Sequence, residues 1–187
     1  MSRWMRALIA TLCGLALAAC VHIVVILAGP SFAEEDAFSK LQDTLEAEQA
    51  ELIGGIGAPD TWFPKPDPAT AIAACAFDLG EGPTRISAKT GPLFQSLSIH
   101  TRKNGIIFAV TDRAAVRGDL EIVVMTPEQL DEARMLDESG ETTRQDVRVV
   151  SPQTEGFVII RVASPYPSLN STTEAVAKSV SCTIDGD

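Results

Sequence analysis

Beyond its first 33 residues the chain carries one histidine, His100, and the groups able to gather round it decide what chemistry the domain can offer. Asn104-Gly105 predicts a two-residue type I′ hairpin, because both residue types tolerate positive φ. In that register Lys103 faces Ile106, His100 faces Ala109, Ser98 faces Thr111 and Ser96 faces Arg113. Strand alternation then places Leu97, Ile99, Phe108 and Val110 on a core face. Ser96, Ser98, His100, Arg102, Thr111 and Arg113 share the opposite face. Two guanidinium groups, an imidazole and hydroxyls suit an anionic or polyhydroxyl ligand, and Ser98, His100, Arg102, Thr111 and Arg113 are the candidate ligand-binding residues. A solvated outer face of an antiparallel sheet carries the same pattern, and the sequence favours that plainer reading.

A catalytic reading of His100 is weaker. A Ser-His-Asp triad needs a carboxylate on the histidine's own side to orient the ring. Asp112 points to the other face in this register, so the local triad fails, and a hydrolase centred on His100 ranks third among the functional readings. There is no glycine-rich phosphate loop, no paired-histidine metal motif and no CxxC. Cys75 and Cys182 with one histidine do not make a four-ligand zinc site. The sequence therefore leans away from an enzyme and implies no metal and no cofactor. Arg117-Gly118-Asp119 reads as a turn rather than an integrin motif. Asn170-Ser171-Thr172 reads as a helix cap rather than a glycosylation site.

The elements that must hold these residues begin with a membrane segment. Ala7 to Ala28 contains no charged residue, long enough at about 1.5 Å per residue to cross a hydrocarbon core of roughly 30 Å. Arg3 and Arg6 precede it and Glu34, Glu35 and Asp36 follow, so the positive-inside bias keeps the N-terminus in the cytoplasm. Two rival readings share the segment: signal-peptidase cleavage at Ser31-Phe32-Ala33, and lipidation at Cys20 in the Leu17-Ala18-Ala19-Cys20 box. The length of the apolar run favours a retained anchor. His22 within it reads as a side chain bonded to a carbonyl or a neighbouring helix, not as a proton relay. This places the remainder in the periplasm of a bacterial inner-membrane protein. There Cys75 and Cys182, the two cysteines outside the membrane run, are expected to form a disulfide.

All 25 acidic residues but only 13 of the 15 basic ones follow residue 33, since Arg3 and Arg6 lie before it. So acidic a surface repels nucleic acid, whose phosphates need cationic partners.

Three segments follow from the pattern: 1–33 as anchor, 34–68 as an amphipathic helix and Pro/Gly-rich connector, and 69–187 as a β-rich domain. Phe38, Leu41, Leu45 and Leu52 predict the helix over 34–53, ended by Gly54-Gly55-Ile56-Gly57. Trp62 and Phe63, among Pro59, Pro64, Pro66 and Pro68, read as a plug at the core's edge. Strands are expected at 71–79, 84–89, 93–102, 106–113, 120–126, 146–151 and 157–163, separated by turn residues. Thr126, Pro127 and Gln129 predict a capped helix to about Glu138, with Leu130, Ala133 and Leu136 toward the core. A second capping box, Ser171 with Glu174, predicts a helix to about Val180. The fold class is mainly β: an antiparallel sandwich-like or barrel-like domain with two or three flanking helices, preceded by one transmembrane helix.

Cys75-Ala76-Phe77-Asp78-Leu79, with Gly82-Pro83 before a strand, resembles the bacterial family called domain of unknown function 1254. So do the hairpin from Leu97 to Phe108 followed by Thr111-Asp112-Arg113, and Val123 through Gln129. The resemblance covers residues 68–182 and extends to the N-terminal anchor; Gln95 and His100 stand where relatives show aromatic and acidic residues. It implies a β-rich fold, no established activity, and a partner with domain of unknown function 1214. The leading expectation is a non-enzymatic, membrane-tethered envelope module that binds a partner or the envelope. The alternative is a small-ligand-binding sandwich using the polar hairpin face.

Overall fold

A computed structural model of the chain describes residues 2–29, 37–44, 48–57, 67–139 and 146–185. It contains two compact units, Met1–Ser39 and Lys40–Asp187. The Ser31-Phe32-Ala33 tripeptide, Leu45 and the connector with Pro59, Trp62, Phe63, Pro64 and Pro66 lie outside the described residues.

In the first unit, α1 (Arg3–Ala28) is a single helix whose N-terminal Met5 amide donates to the Ser2 hydroxyl. None of its residues is buried, and its most apolar stretch has a mean hydropathy of 2.5. A helix apolar on every side has no polar face to offer water. By length and composition α1 is able to cross a membrane, and it contains the expected span 7–28. Cys13 and Cys20 are exposed free thiols on it.

The second unit contains nine strands among the described residues. They are β1 (Glu51–Gly54), β2 (Thr70–Asp78), β3 (Thr84–Lys89), β4 (Gln95–Thr101), β5 (Gly105–Thr111), β6 (Asp119–Met125), β7 (Val147–Val150), β8 (Glu155–Ala163) and β9 (Ser181–Ile184). One sheet runs β1-β2-β8-β4-β5 and is wholly antiparallel. The other runs β7-β6-β3-β9. Its β6–β7 pair is parallel, which the antiparallel expectation missed. A parallel neighbour needs a crossover, and α3 (Pro127–Ser139) lies within it.

The two sheets bury a shared core through alternate residues: Ile86 and Ala88 of β3, Leu97 and Ile99 of β4, Ile122 and Val124 of β6, Val158 and Ile160 of β8. From Ala71 to Phe77 every residue of β2 is buried, because its outer face is covered as well. There Ile72, Ala74 and Ala76 join Leu41, Ile53 and Ile159 in a second cluster. Leu41 belongs to α2 (Ala37–Thr44), and the neighbouring Gln42 Nε2 donates to the Gly156 carbonyl at 2.6 Å.

All seven expected strands form, within about two residues at their ends. The helix expected over 34–53 does not continue that far: Leu52 lies in β1, paired with Ala73. Pairing β1 with β2 satisfies the backbone groups along that edge of β2, which a helix, its own amides and carbonyls bonded internally, leaves open. The Thr126 capping box is present, with the Gln129 amide donating to Thr126 Oγ1 at 3.2 Å and the Thr126 amide to Gln129 Oε1 at 2.9 Å. Yet α3 buries no residue, and Leu136 is exposed. The second capping box is absent from α4 (Asn170–Lys178). Glu174 instead accepts the Ile56 amide at 2.9 Å, and Asn170 Oδ1 accepts the Ser164 hydroxyl at 2.9 Å.

The β1/β9 side of the sandwich is stitched shut. Cys75 of β2 and Cys182 of β9 form a disulfide across 107 residues of sequence. Beside it Cys182 N donates to the Glu48 carbonyl and Ala50 N to the Val180 carbonyl, with a bridge between Gln49 and Ser181.

The outer face of the hairpin as a candidate site

β4 lies between β8 and β5, so the outer face of the hairpin is read across three strands. Ser96 pairs with both Thr111 and Arg161. Directly paired residues share a face, which sets Arg161, Ser96 and Thr111 in one row. The next row is Ile159, Ser98 and Ala109; the third is Phe157, His100 and Ile106.

This register corrects the one expected from Asn104-Gly105. Thr101 pairs with Gly105, leaving Arg102, Lys103 and Asn104 in the turn, and a bulge places Ile107 as the extra residue of β5. Gly105 has φ +64°, but Asn104 does not take a positive φ, so this is not a type I′ turn. The type I′ signature occurs at Arg117 (φ 55°) and Gly118 (φ 92°), where Val116 and Asp119 exchange backbone hydrogen bonds.

Of the five candidate ligand-binding residues, the structure brings Ser98 and His100 into contact and sets Thr111 on the same face. Arg102 is in the turn and Arg113 in a 3₁₀ turn (Asp112–Ala114) beyond β5, both outside the paired rows of that face. The expected pairing failed because a two-residue loop and a longer loop with a bulge shift every cross-strand partner. Arg161 supplies the cation that they were expected to bring. Its spacing from Phe157 and Ile159 shows one face of β8, but only the sheet order puts that face beside β4.

His100 is half-buried and stacks on Phe157, ring centroids 5.0 Å apart and nearly parallel. Its Nε2 lies 2.8 Å from Ser98 Oγ. Burial, and then the neighbouring charge of Arg161, push the imidazole below its ordinary pKa and favour the neutral ring. In the tautomer protonated on Nδ1, Nε2 accepts the Ser98 hydroxyl proton. Among the described residues His100 has no carboxylate partner, and Arg161 opposes the imidazolium that general-base catalysis would form. Ser98 itself is only 6% exposed. Beneath the third row Gly156 has no room for a Cβ, which would meet the Phe77 ring and lie 2.6 Å from the His100 carbonyl.

A second polar cluster lies on the outer side of the other sheet. Arg85 reaches Asp185 at 2.7 Å, Glu121 at 3.0 Å and Asp146 at 3.1 Å. Arg148 meets Asp137 at 2.6 Å and Asp146 at 3.4 Å. Burial opposes the charge on Arg85, but bonding and attraction from Asp185 and Asp146 outweigh it and hold the guanidinium above its usual range. Arg148 is raised by its bond to Asp137, against a smaller opposing effect of burial. Arg85, Asp146, Arg148 and Asp185, with Gln129 and Leu136 of α3, line a cavity of about 400 Å³. Its two cations are already met by carboxylates, so the arrangement is a clamp between chain segments rather than an anion receptor. The described residues contain no group of three or more His, Cys, Asp and Glu able to hold a metal ion.

No family model and no curated protein matches the chain. Among solved structures, it is similar to the VPA0106 protein of Vibrio parahaemolyticus, at 10% identity and a TM-score of 0.54, over 77% of this chain and 31% of that one. A second, an uncharacterised protein from Burkholderia cenocepacia, is 12% identical with a TM-score of 0.48, over 81% of this chain and 38% of that one. The chain thus spans about a third of the length of the proteins it matches. The first likeness establishes a shared fold. The protein is a mixed, β-rich domain of two sheets flanked by helices, with one N-terminal helix able to enter a membrane.

Proposed function

We propose that this is a non-enzymatic binding module, tethered to a bacterial inner membrane by α1 as a single-pass signal anchor, with Lys40–Asp187 in the periplasm. The observation that carries it is the Cys75–Cys182 disulfide in a domain that follows a membrane-capable helix. Disulfides persist in oxidising compartments, and Arg3 and Arg6 on the near flank favour the matching orientation. The resemblance to domain of unknown function 1254 supports the same reading and points to a membrane-anchored partner of the domain of unknown function 1214 type. A cysteine placed at Glu128, exposed on α3, tests the orientation. Labelling by a membrane-impermeant maleimide in spheroplasts is the expected result, and labelling only after lysis would refute it. Cross-linking in solubilised membranes tests the binding role; a reproducibly solitary monomer would count against it.

The row of Arg161, Ser96 and Thr111 favours a second reading, a small anion bound on the outer hairpin face beside Ser98 and His100. Titration with phosphate or acetate, followed by the His100 ring resonances, checks it. Shifts absent in Arg161→Gln support the site, and no saturable shift removes it.

A further inference from the structure

The four strands at the sheet edges differ in length and in what covers them. β1, β7 and β9 have four residues each, whereas β5 has seven. β1 and β9 are stitched to one another through 48–50 and 180–182. Among the described strands β5 pairs with β4 alone, so one row of its backbone N–H and C=O groups is open. Exposed edges are normally blunted by charge, proline or a bulge, because they template pairing with another chain; β5 has its bulge at Ile107, with Phe108 to Thr111 in regular register beyond it. Gly105-Ile106-Ile107-Phe108-Ala109-Val110-Thr111 contains no charged residue and no proline. Ile106 is 61% exposed, and no residue of the strand is fully buried.

Charge selects the occupant. The strand is flanked by Arg102 and Lys103 on one side and by Arg113 and Arg117 with Asp112 and Asp119 on the other, in a chain where acids outnumber bases 25 to 15. An uncharged apolar edge thus lies between a basic end, Arg102 and Lys103, and an end whose exposed cation nearest the strand is Arg113. A second copy adding its own β5 antiparallel would set Arg102 and Lys103 against the other copy's Arg113, like charge against like. An extended segment with apolar or β-branched residues and acidic ends meets no such repulsion.

We propose that β5 is a strand-addition site, which takes an extended, acid-flanked segment of a partner polypeptide as a sixth strand of the β1-β2-β8-β4-β5 sheet. This rests on the binding-module reading and locates its surface. Backbone hydrogen bonds along the open edge supply affinity, and the cations at its ends select the partner class.

The test uses the detergent-solubilised full chain and two fluorescent peptides of about ten residues, alternating valine and threonine, one flanked by glutamates and the other by lysines. The glutamate-flanked peptide is expected to bind saturably below about 1 mM and at least about tenfold more tightly than its lysine counterpart. It should also slow amide exchange at residues 105–111. The double variant Lys103→Glu, Arg113→Glu alters two exposed side chains and should reverse the preference between peptides. No saturable binding, binding that leaves 105–111 unprotected, or concentration-dependent protection of β5 without peptide would each overturn the inference. A partner cross-linked in membranes to another face would overturn the site while leaving the binding-module reading intact.

Discussion

The two sides of this sandwich solve the same problem in opposite ways. On the β1/β9 side a disulfide, two backbone hydrogen bonds and a bridge join the sheets, and the short edge strands have little left to offer. On the β5/β7 side β5 keeps seven residues of apolar backbone open. The closed side therefore determines whether the domain persists, while the open side is free to determine what it touches. Stability and binding are separable in this fold because they are assigned to different edges.

Removing the stitch has the largest expected effect. Cys75→Ala with Cys182→Ala releases a constraint across 107 residues and should cost about 4–5 kcal/mol in the chain-entropy view, read by urea unfolding. A loss below about 1 kcal/mol would mean that the backbone seam suffices alone. Next comes the clamp that connects the residues flanking β9 and β7 through Arg85. Arg85→Met leaves Asp146, whose side chain is 5% exposed, with Arg148 alone, and should cost about 2–4 kcal/mol. Glu121→Gln should cost under about 1 kcal/mol, since that carboxylate is half exposed.

A smaller, pH-dependent effect belongs to the hairpin. The folded pKa of His100 lies below its unfolded value of 6.5, so the unfolded chain takes up the proton first as pH falls. The associated stability is full above that value and is lost as pH drops through the lowered folded pKa. Unfolding curves near pH 8 and about pH 5 should therefore differ less in His100→Gln than in the wild type. An equal difference would remove the histidine from the account. The smallest stability change is expected on the open side. Ile106→Thr, at a largely exposed edge position, should shift stability by less than about 0.5 kcal/mol while weakening peptide addition.

How legible the fold was depended on whether the signal was local. Short apolar runs between turns located seven strands, and Thr126 with Gln129 marked the start of α3 because a capping box involves only four residues. β1 was missed because Leu52 also fits the helical spacing of Phe38, Leu41 and Leu45, and β9 because Ser181-Cys182-Thr183-Ile184 has a single aliphatic residue, unlike the equally short β7. The candidate site was half legible. Ser98 and His100 sit two apart on one strand, so any register brings them together, whereas Arg102 and Arg113 depended on a turn type that the rest of the sheet overrode.

By itself the sequence determined the apolar helix, the strand-forming segments, the acidic balance and the cysteines available for pairing, all of which follow from composition and short-range pattern. Tertiary structure alone decided that Arg161 flanks His100, that Glu174 holds Ile56 rather than capping its helix, and that β5 ends a sheet. Those outcomes depend on which strands become neighbours. Non-local pairing is set by the best joint burial of both sheets, which no single segment encodes.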